Sequence, residues 1–410
     1  MGHENTVTAS ESAIAPFTLT ADFYQRPHAA YDELRGRGPA HFVRFPDGGT
    51  GWLITDYEVA KAAFLDPGIS KALNSAGARA ALGGDGAGAQ MFGDMMVFYD
   101  PPEHTRLRAL VNRAFSSRAV RELAPRVTEL ADALLAELAA DATVDLDLLD
   151  RYAFPLPMLV ICELLGVPSA ERDNFRAWST TLVSNDETPA ARGAAVQQFV
   201  AYIDQLIRAK SAEPAEDLLS ELITASEEGD RLSHRELISM VFLLLVAGFE
   251  TTVNLISNAV AILLSDKAVR ETLDRDPARV PDFVEEVLRY ESPASEATFR
   301  YTTVPVTLGG VEIPAGQRIL VSMAAADRDP SRFADPHTVD LDRADKNHLA
   351  FGYGIHRCVG APLARMEAGI ALTRLLAAYP DLEPAAGAEP VWRKSLIVRG
   401  LTELPVRLRP

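Results

Sequence analysis

Residues 351–367 read FGYGIHRCVGAPLARME, in which a loop with two glycines leads through a single cysteine into an alanine-rich segment. Gly352 and Gly354 can adopt positive φ, which lets this loop pass close beneath a flat ligand. The segment that follows predicts a helix with Cys358 at its N-terminus. A thiolate there would face the N–H groups of the next three residues, and those donors together with the helix dipole favour negative charge and lower its basicity.

Cys358 has two interpretations. A lone cysteine beside a glycine turn is ordinarily a buried structural residue, whereas a softened thiolate is the axial ligand that favours O–O cleavage at a haem iron. His356, Arg357 and Gly360 stand at set distances from the cysteine. With the two glycines they make the stretch resemble the haem-binding loop of the cytochromes P-450, and that motif is highly specific. The resemblance assigns Cys358 to the iron and implies haem contacts at Phe351, Gly352, His356, Gly360 and Ala364.

The composition is that of an acidic chain with few cysteines. Its 410 residues carry a formal net charge of −17, which argues against a nucleic-acid partner. The other cysteine, Cys162, lies in an apolar run and is predicted to pack as a small hydrophobe, so the cysteines suggest a reducing compartment. The longest apolar run, residues 240–249, is too short to span a bilayer. The chain is therefore expected to be cytoplasmic and to have no membrane partner. It is also expected to be a monomer, with a disordered arm over residues 1–20 and one domain over residues 21–410.

Hydrophobic periodicity and turn residues predict the secondary structure along the chain. The predicted helices cover residues 27–35, 57–65, most of 121–222, 233–265, 281–290 and 361–378. The predicted strands cover residues 41–45, 51–55, 304–308, 311–313 and 318–323. The first two of these strands form a hairpin.

Residues 67–93 lose all periodicity and are crowded with glycine and alanine. A loop this long in a compact fold is usually a lid or a binding loop, and the alternative is a disordered excursion. Its end has an adaptable apolar face that suits a bulky ligand. That face consists of Met91, Phe92, Met95, Met96 and Val97.

A basic helix follows, with Asp100 as its predicted N-cap and prolines in its first turn. His104 and Arg108 are four residues apart and share one face, and the positive charge continues to Arg126. Such a run is usually only a solvated face. The resemblance instead makes His104, Arg108, Arg300 and His356 the partners of the haem propionates. It places the rest of the basic run, with Arg357 and Arg365, at the surface that docks a ferredoxin.

The longest predicted helix begins after Ser233, which forms a capping box with Glu236, and ends near Ser265. In its middle an acid and a hydroxyl, Glu250 and Thr251, interrupt an apolar surface, where burial without partners would be expensive. One interpretation is a capped structural threonine beside a solvent-facing glutamate. The other is a functional pair.

Residues 247–252 read AGFETT and resemble the oxygen-activation segment of the same family, although many relatives have histidine where this chain has Phe249. Thr251 can bond back to the carbonyl four residues earlier and, with Gly248, loosen the helix. The resemblance makes Glu250 and Thr251 the catalytic pair that delivers protons. It also places Ala247 and Gly248 against the haem.

Further residues follow from the family likeness. Glu286 and Arg289 lie three apart on one helix face, where a surface ion pair would contribute little. The resemblance makes them the Glu-x-x-Arg core pair of the family, with Arg343 as the third member. The remaining substrate contacts that it implies are Leu182, Val183, Leu243, Val246, Ala247, Ala294, Glu296, Ala297, Leu396 and Ile397.

The resemblance covers nearly the whole chain. It implies a mainly α-helical cytochrome P-450 fold with small β-sheets at one side, and haem b between the long central helix and the cysteine-led helix. The implied activity is insertion of one oxygen atom of dioxygen into a C–H bond, by hydroxylation or by epoxidation. The expected substrate is a bulky hydrophobic small molecule such as a polyketide or macrolide, with electrons from a ferredoxin and its ferredoxin reductase.

Two other functions stay open. A peroxide-driven peroxygenase would use the same haem, but peroxide already carries the protons that Glu250 and Thr251 would deliver. A haem-binding sensor or carrier without turnover would have no use for such a pair.

Overall fold

Helices form most of the structure, a computed structural model that describes residues 15–82, 94–139, 145–168, 171–183, 187–227 and 232–408. Met91 and Phe92 lie outside these described residues, and so does the side chain of Val183. The described α-helices are α1 (Pro27–Arg35), α2 (Tyr57–Leu65), α3 (Ala76–Leu82), α4 (Glu103–Asn112), α5 (Ser117–Ala139), α6 (Pro155–Leu165), α7 (Arg172–Val183), α8 (Pro189–Ala212), α9 (Leu218–Glu227), α10 (His234–Ser265), α11 (Lys267–Arg275), α12 (Val280–Tyr290), α13 (Met323–Ala326) and α14 (Ala361–Ala378).

Short strands form three small sheets. The described strands are β1 (Phe17–Thr18), β2 (Ala40–Arg44), β3 (Thr50–Ile54), β4 (Ile69–Ser70), β5 (Asp145–Asp147), β6 (Arg300–Thr302), β7 (Val306–Leu308), β8 (Val311–Ile313), β9 (Arg318–Val321), β10 (Glu383–Pro384) and β11 (Pro405–Arg407). Six of them pair in the order β1-β2-β3-β9-β6-β4. The hairpin β7-β8 and the set β10-β11-β5 make the other two sheets.

The centre of the molecule is α10. Ser233 caps it by accepting a hydrogen bond from the Glu236 N–H, and the Glu236 carboxylate accepts one from the Ser233 N–H, so the predicted capping box is present. The helix packs against α6, α8 and α14, and α14 packs in turn on α5. Because α10 has helical neighbours on several sides, it is apolar almost all round. The predicted fold, mainly helical with small sheets at one side, is confirmed.

Several local predictions need correction. Residues 17–18 pair with β2 and Leu19 is buried, so the folded chain begins before the predicted boundary at residue 20. Asp100 does not cap α4, because its carboxylate accepts hydrogen bonds from the Ser70 hydroxyl and the Lys71 N–H. The basic segment is two helices, α4 and α5, rather than one. Residues 304–305 precede β7, and residue 323 begins α13 instead of ending a strand.

The length and composition of α10 would allow it to cross a membrane. In this fold, however, 56% of its apolar window is buried by the rest of the molecule. It is the core helix. Cys162 on α6 is likewise buried, with its sulfur 3.5 Å from the Met158 sulfur, as expected of a small core hydrophobe.

Candidate active site

One face of α10 is left uncovered. Leu243, Val246, Ala247 and Thr251 are at least partly exposed, whereas most of the other residues in the middle of this helix are buried. The spacing of three and four residues puts these side chains on a single face. The Thr251 hydroxyl donates to the Ala247 carbonyl at 3.1 Å, as the sequence predicted. Thr251 therefore contributes a hydroxyl to an otherwise apolar wall.

The cysteine loop has the conformation that its glycines allow. Gly352 and Gly354 have φ of +68° and +74°, in the left-handed region that favours glycine. The Cys358 N–H donates to the Phe351 carbonyl at 2.8 Å, and the Ala364 N–H donates to the Gly360 carbonyl at 2.9 Å in the first turn of α14. The thiol is accessible although it lies inside the fold, as is expected for a side chain that lines an internal cleft.

The charge environment of Cys358 is mixed. Burial raises the pKa of its thiol. The N–H groups of Gly360 and Ala361 and the guanidinium of Arg108 lower that pKa, but by less. The predicted lowering by N–H groups at this helix start is confirmed for Gly360 and Ala361, and burial outweighs it.

Four basic side chains converge beside the cysteine loop. The rings of His104 on α4 and His356 lie 4.1 Å apart between centroids, and both histidines have a lowered pKa because they are buried near other cations. Lys71 and Arg300 contribute two of those cations and are themselves buried, with 4% exposed for each. His104 Nδ1 and His356 Nε2 are buried without a hydrogen-bond partner in the described structure.

Arg108 lies on the same side but is already engaged. Its Nη2 donates to the Arg357 carbonyl at 2.7 Å, and its Nε donates to the Asn112 amide oxygen at 3.0 Å. Arg300 has weaker protein contacts, namely the Thr298 carbonyl at 3.2 Å and the Phe64 ring.

These residues fit a haem. A buried cluster of cations and unpartnered imidazole nitrogens is costly unless an anion binds to it, and two propionates would supply that anion. An accessible thiol at a helix N-terminus supplies a ligand for iron. The partly exposed face of α10 supplies an apolar wall beside these groups.

Glu250 has a partner that the sequence did not reveal. It is 3% exposed and forms an ion pair with Arg393, 143 residues away. The solvent-facing alternative is therefore wrong. Its neighbour Thr251 lies on the uncovered face, so the two side chains point in different directions from α10.

Gly248 serves helix packing. A Cβ at this position would lie 2.9 Å from Ile161 Cδ1 on α6, so a larger residue would require the Ile161 side chain to shift. The helix continues without interruption from residue 234 to 265, and the predicted loosening is not observed. Gly248 is also partly exposed, and Ala247 beside it is the more exposed of the two.

The predicted substrate contacts come from several elements. Met95 and Met96 are buried and Val97 is half-buried, in a segment that contacts both α4 and α10. Among the other predicted contacts, Leu182 packs on the main core. Ala294 and Ala297 are half-buried near β9. Leu396 and Ile397 pack toward α1.

Glu296 does not belong to this set. It is 1% exposed, and its carboxylate accepts hydrogen bonds from the Tyr31 hydroxyl and, at 3.4 Å, from the Ser322 hydroxyl. Burial raises the pKa of Glu296 to about 7. The predicted substrate contact is wrong because the carboxylate turns toward α1.

Glu286, Arg289 and Arg343 form a buried ion-pair network. Arg289 donates to both Glu286 oxygens at 3.0 Å, and Arg343 Nε donates to Glu286 Oε1 at 3.1 Å. Arg289 also donates to the carbonyls of residues 327, 336 and 338. The network thereby ties α12 to the irregular segment that leads to the cysteine loop.

Sequence reasoning missed Lys71 and Arg393. Lys71 directly follows β4, and the antiparallel pairing of β4 with β6 brings it beside Arg300. That pairing was not predicted, because residues 69–70 fell inside the presumed loop. Arg393 lies in a C-terminal segment without regular structure, and nothing local indicates its partner.

Comparison with known proteins gives consistent results. The family model described as "Cytochrome P450" matches residues 186–393. Vitamin D(3) 25-hydroxylase of Pseudonocardia autotrophica is 46% identical, covering 96% of each chain. The 6-deoxyerythronolide B hydroxylase of Saccharopolyspora erythraea is 41% identical and covers 93% of this chain and 96% of its own. The tirandamycin C-bound structure of the P450 monooxygenase TamI has a TM-score of 0.90 at 43% identity, over 96% of this chain and all of that chain.

Proposed function

The chain belongs to the cytochrome P450 family and is a monooxygenase, and from that membership we propose that it inserts one oxygen atom of dioxygen into a C–H bond of a bulky hydrophobic polyketide or macrolide. Three relatives support a bulky hydrophobic substrate. One is named for 6-deoxyerythronolide B, another was solved with tirandamycin C, and a third acts on vitamin D(3). All three names denote large, mostly apolar molecules.

A single observation carries the proposal. The central helix presents three apolar side chains and one hydroxyl on its uncovered face, while its other faces are packed in the core. An apolar wall with one placed polar group is typical of a site that binds a hydrophobic molecule and performs chemistry on it. A sensor or carrier would not require the hydroxyl there.

Cys358, His104, Arg108, Arg300 and His356 are the residues that would hold the haem. The thiolate would ligate the iron, and the basic side chains would bind the propionates. When bound, the haem supplies the reduction of dioxygen and the oxidation of the C–H bond. The protein's own contribution is to orient the substrate along α10, to exclude water and to deliver protons.

Proton delivery falls to Thr251 and Glu250. The Thr251 hydroxyl can exchange its bond to the Ala247 carbonyl for one to a water in the cleft, and then pass on a proton. Arg393 binds Glu250 Oε1, and among the described residues no donor binds Oε2. Oε2 is thus the oxygen that can take a proton from solvent. Because the two side chains diverge, an ordered water must connect them.

We also propose a ferredoxin and its reductase as electron donors, a monomeric state and a cytoplasmic location. The support is the exposed positive charge on α4 and α5 near the cysteine loop, together with the burial of α10 in the core. An acidic electron-transfer protein would be attracted to such a surface.

The test is reconstitution with a bacterial ferredoxin, its reductase and NADPH. The reduced, carbon-monoxide-bound protein should show the Soret position of a thiolate-ligated haem, and a macrolactone substrate should gain one oxygen atom in mass. An imidazole-type spectrum in folded protein would contradict the ligation by Cys358. Product formed only with hydrogen peroxide would identify a peroxygenase, and bound haem without any product would favour a sensor.

A further inference from the structure

We propose that Lys71 is a haem-binding residue that forms an ion pair with one propionate, in addition to the arginines and histidines that the family likeness implies. The assignment rests on the proposed haem site, and it concerns a residue that the cysteine motif and the basic helix do not indicate. Its basis is the position, burial and pairing of one ammonium group.

The position of Lys71 is set by the six-stranded sheet. Ser70 pairs with Tyr301 in the antiparallel β4-β6 ladder. Lys71, which follows Ser70, therefore lies opposite Arg300, which precedes Tyr301. Both side chains are 4% exposed, and each acts electrostatically on His356. Two basic groups thus lie side by side in the interior, where burial lowers the pKa of each. Such an arrangement is unfavourable without a negative partner.

The nearest acid, Asp100, does not form an ion pair with the Lys71 ammonium. The two carboxylate oxygens of Asp100 accept hydrogen bonds from the Ser70 hydroxyl at 2.5 Å and from the backbone N–H of Lys71 at 3.1 Å. The Lys71 ammonium itself donates to the hydroxyl of Thr298, a neutral acceptor. Within the described part of the chain, no carboxylate lies at ion-pair distance from this ammonium. An ammonium has three donors, so capacity remains for a ligand.

The surrounding groups indicate what that ligand is. Unpartnered nitrogens of His104 and His356 lie in the same cluster, and Arg108 is engaged by the Arg357 carbonyl. Asp100 acts on both Lys71 and Arg300 electrostatically, but among the described residues the printed hydrogen bonds of these two groups go to neutral acceptors. They are therefore two buried basic groups without an ion-paired carboxylate in that part of the chain, and a haem carries two carboxylates. One ammonium and one guanidinium match two propionates in charge and number.

The experiment compares haem with its dimethyl ester, whose propionates are neutral. Wild type, Lys71→Met and the surface control Lys267→Met are each loaded with either porphyrin, and its loss to excess apomyoglobin is followed spectroscopically. A charged, buried hydrogen bond predicts haem loss roughly ten- to a hundredfold faster from Lys71→Met than from wild type. With the ester, the two proteins should lose the porphyrin at rates within about twofold of each other.

Two results would overturn the assignment. Lys71→Met could lose haem as slowly as wild type, or it could lose haem and ester with the same acceleration, which would mean a structural role. If Lys71→Met does not fold, Lys71→Gln gives the same comparison, because it removes the charge and can still donate to Thr298. A wild-type chain that takes up neither porphyrin would contradict the proposed function, not the role of Lys71 alone.

Discussion

At the scale of single residues, Glu250 and Thr251 are neighbours in sequence that face different surroundings. Successive residues of a helix are about 100° apart, so a carboxylate in the core and a hydroxyl on the open face can follow one another directly. Thr252 continues this pattern, since it is 2% exposed and lies on the covered side. Of these three adjacent polar residues, Thr251 is therefore the one on the open face.

The hydroxyl of Thr251 can be tested against that of Thr252. Thr251→Ala removes the hydroxyl but little volume, so substrate affinity should be nearly retained while electrons are diverted to peroxide or water. The loss of a positioned proton donor should slow product formation roughly 100-fold or more at an unchanged rate of NADPH oxidation. Thr252→Ala should stay coupled. A Thr251→Ala protein that binds substrate poorly but remains coupled would place Thr251 in the substrate pocket instead.

Glu296 shows how a buried carboxyl can make stability depend on pH. Its pKa is raised to about 7 by burial, although the Ser295, Tyr31 and Ser322 side chains partly oppose the rise. The folded protein therefore binds the proton more tightly than the unfolded chain does. The stabilising contribution is complete below the unfolded pKa of 4.5 and is lost as the pH rises to about 7.

This behaviour predicts a difference between wild type and Glu296→Gln. The unfolding free energy of wild type, relative to that of the variant, should fall by on the order of 3 kcal/mol between pH 4.5 and pH 7 and then level off. Urea denaturation across this pH range measures the difference. The exposed Glu271→Gln should show no such trend. If the unfolding free energy of wild type relative to Glu296→Gln does not change over this pH range, Glu296 is ionised over the whole range.

At the scale of elements, α4 and α5 carry less free positive charge than their sequence suggested. Arg118 pairs with Glu122 at 3.0 Å, and Arg126 binds Glu163 at 2.6 Å. Arg106 and Arg365, also from the predicted docking set, pair with Glu236 and Glu285. Within the predicted docking set, the exposed arginines for which the described residues offer no acidic partner are Arg113, Arg121 and Arg357.

These unpaired arginines refine the prediction for ferredoxin docking. The double change Arg113→Glu and Arg121→Glu should slow the first electron transfer at low ionic strength by on the order of tenfold, because rim charges act mainly on the encounter rate. The effect should shrink as salt is added. The control, Lys267→Glu with Arg275→Glu on α11, makes the same charge change elsewhere. Equal rates and equal salt dependence in both variants would locate the docking surface on another face.

At the scale of the whole molecule, one large core links the elements. It extends from the segment before α4 through α5, α6, α8 and α10 to α14 and the last strand. Two smaller cores lie under the six-stranded sheet. The ion pair of Arg393 with Glu250 joins the C-terminal segment to α10, and the Glu286 network joins α12 to the cysteine loop region.

Such continuity predicts one cooperative unfolding transition for the haem-loaded protein. Far-UV circular dichroism and the Soret band should change at the same denaturant concentration, since the elements around the proposed haem site belong to the main core. The absence of a linker in the sequence agrees with this prediction. Two separated transitions would show that the sheet region folds as a domain of its own.

Features that depend on neighbours along the chain could be predicted without knowledge of the fold. The glycines of the cysteine loop adopt positive φ, Ser233 and Glu236 cap α10, and the Thr251 hydroxyl reaches the carbonyl four residues back. Each is a contact within a few residues, so local geometry and side-chain chemistry suffice to predict it. The specific motifs around them sufficed to identify the family.

Contacts between side chains that are far apart in the chain could not be predicted in this way. Glu250 with Arg393, Lys71 with Arg300, and Glu296 with Tyr31 each join distant segments, and so does the contact between His104 and His356. The direction of a buried side chain depends on the packing of whole elements, and periodicity only indicates which face of an element is covered. The family motifs therefore indicated most of the residues proposed to hold the haem, whereas Lys71 could be recognised beside them only once the sheet was assembled.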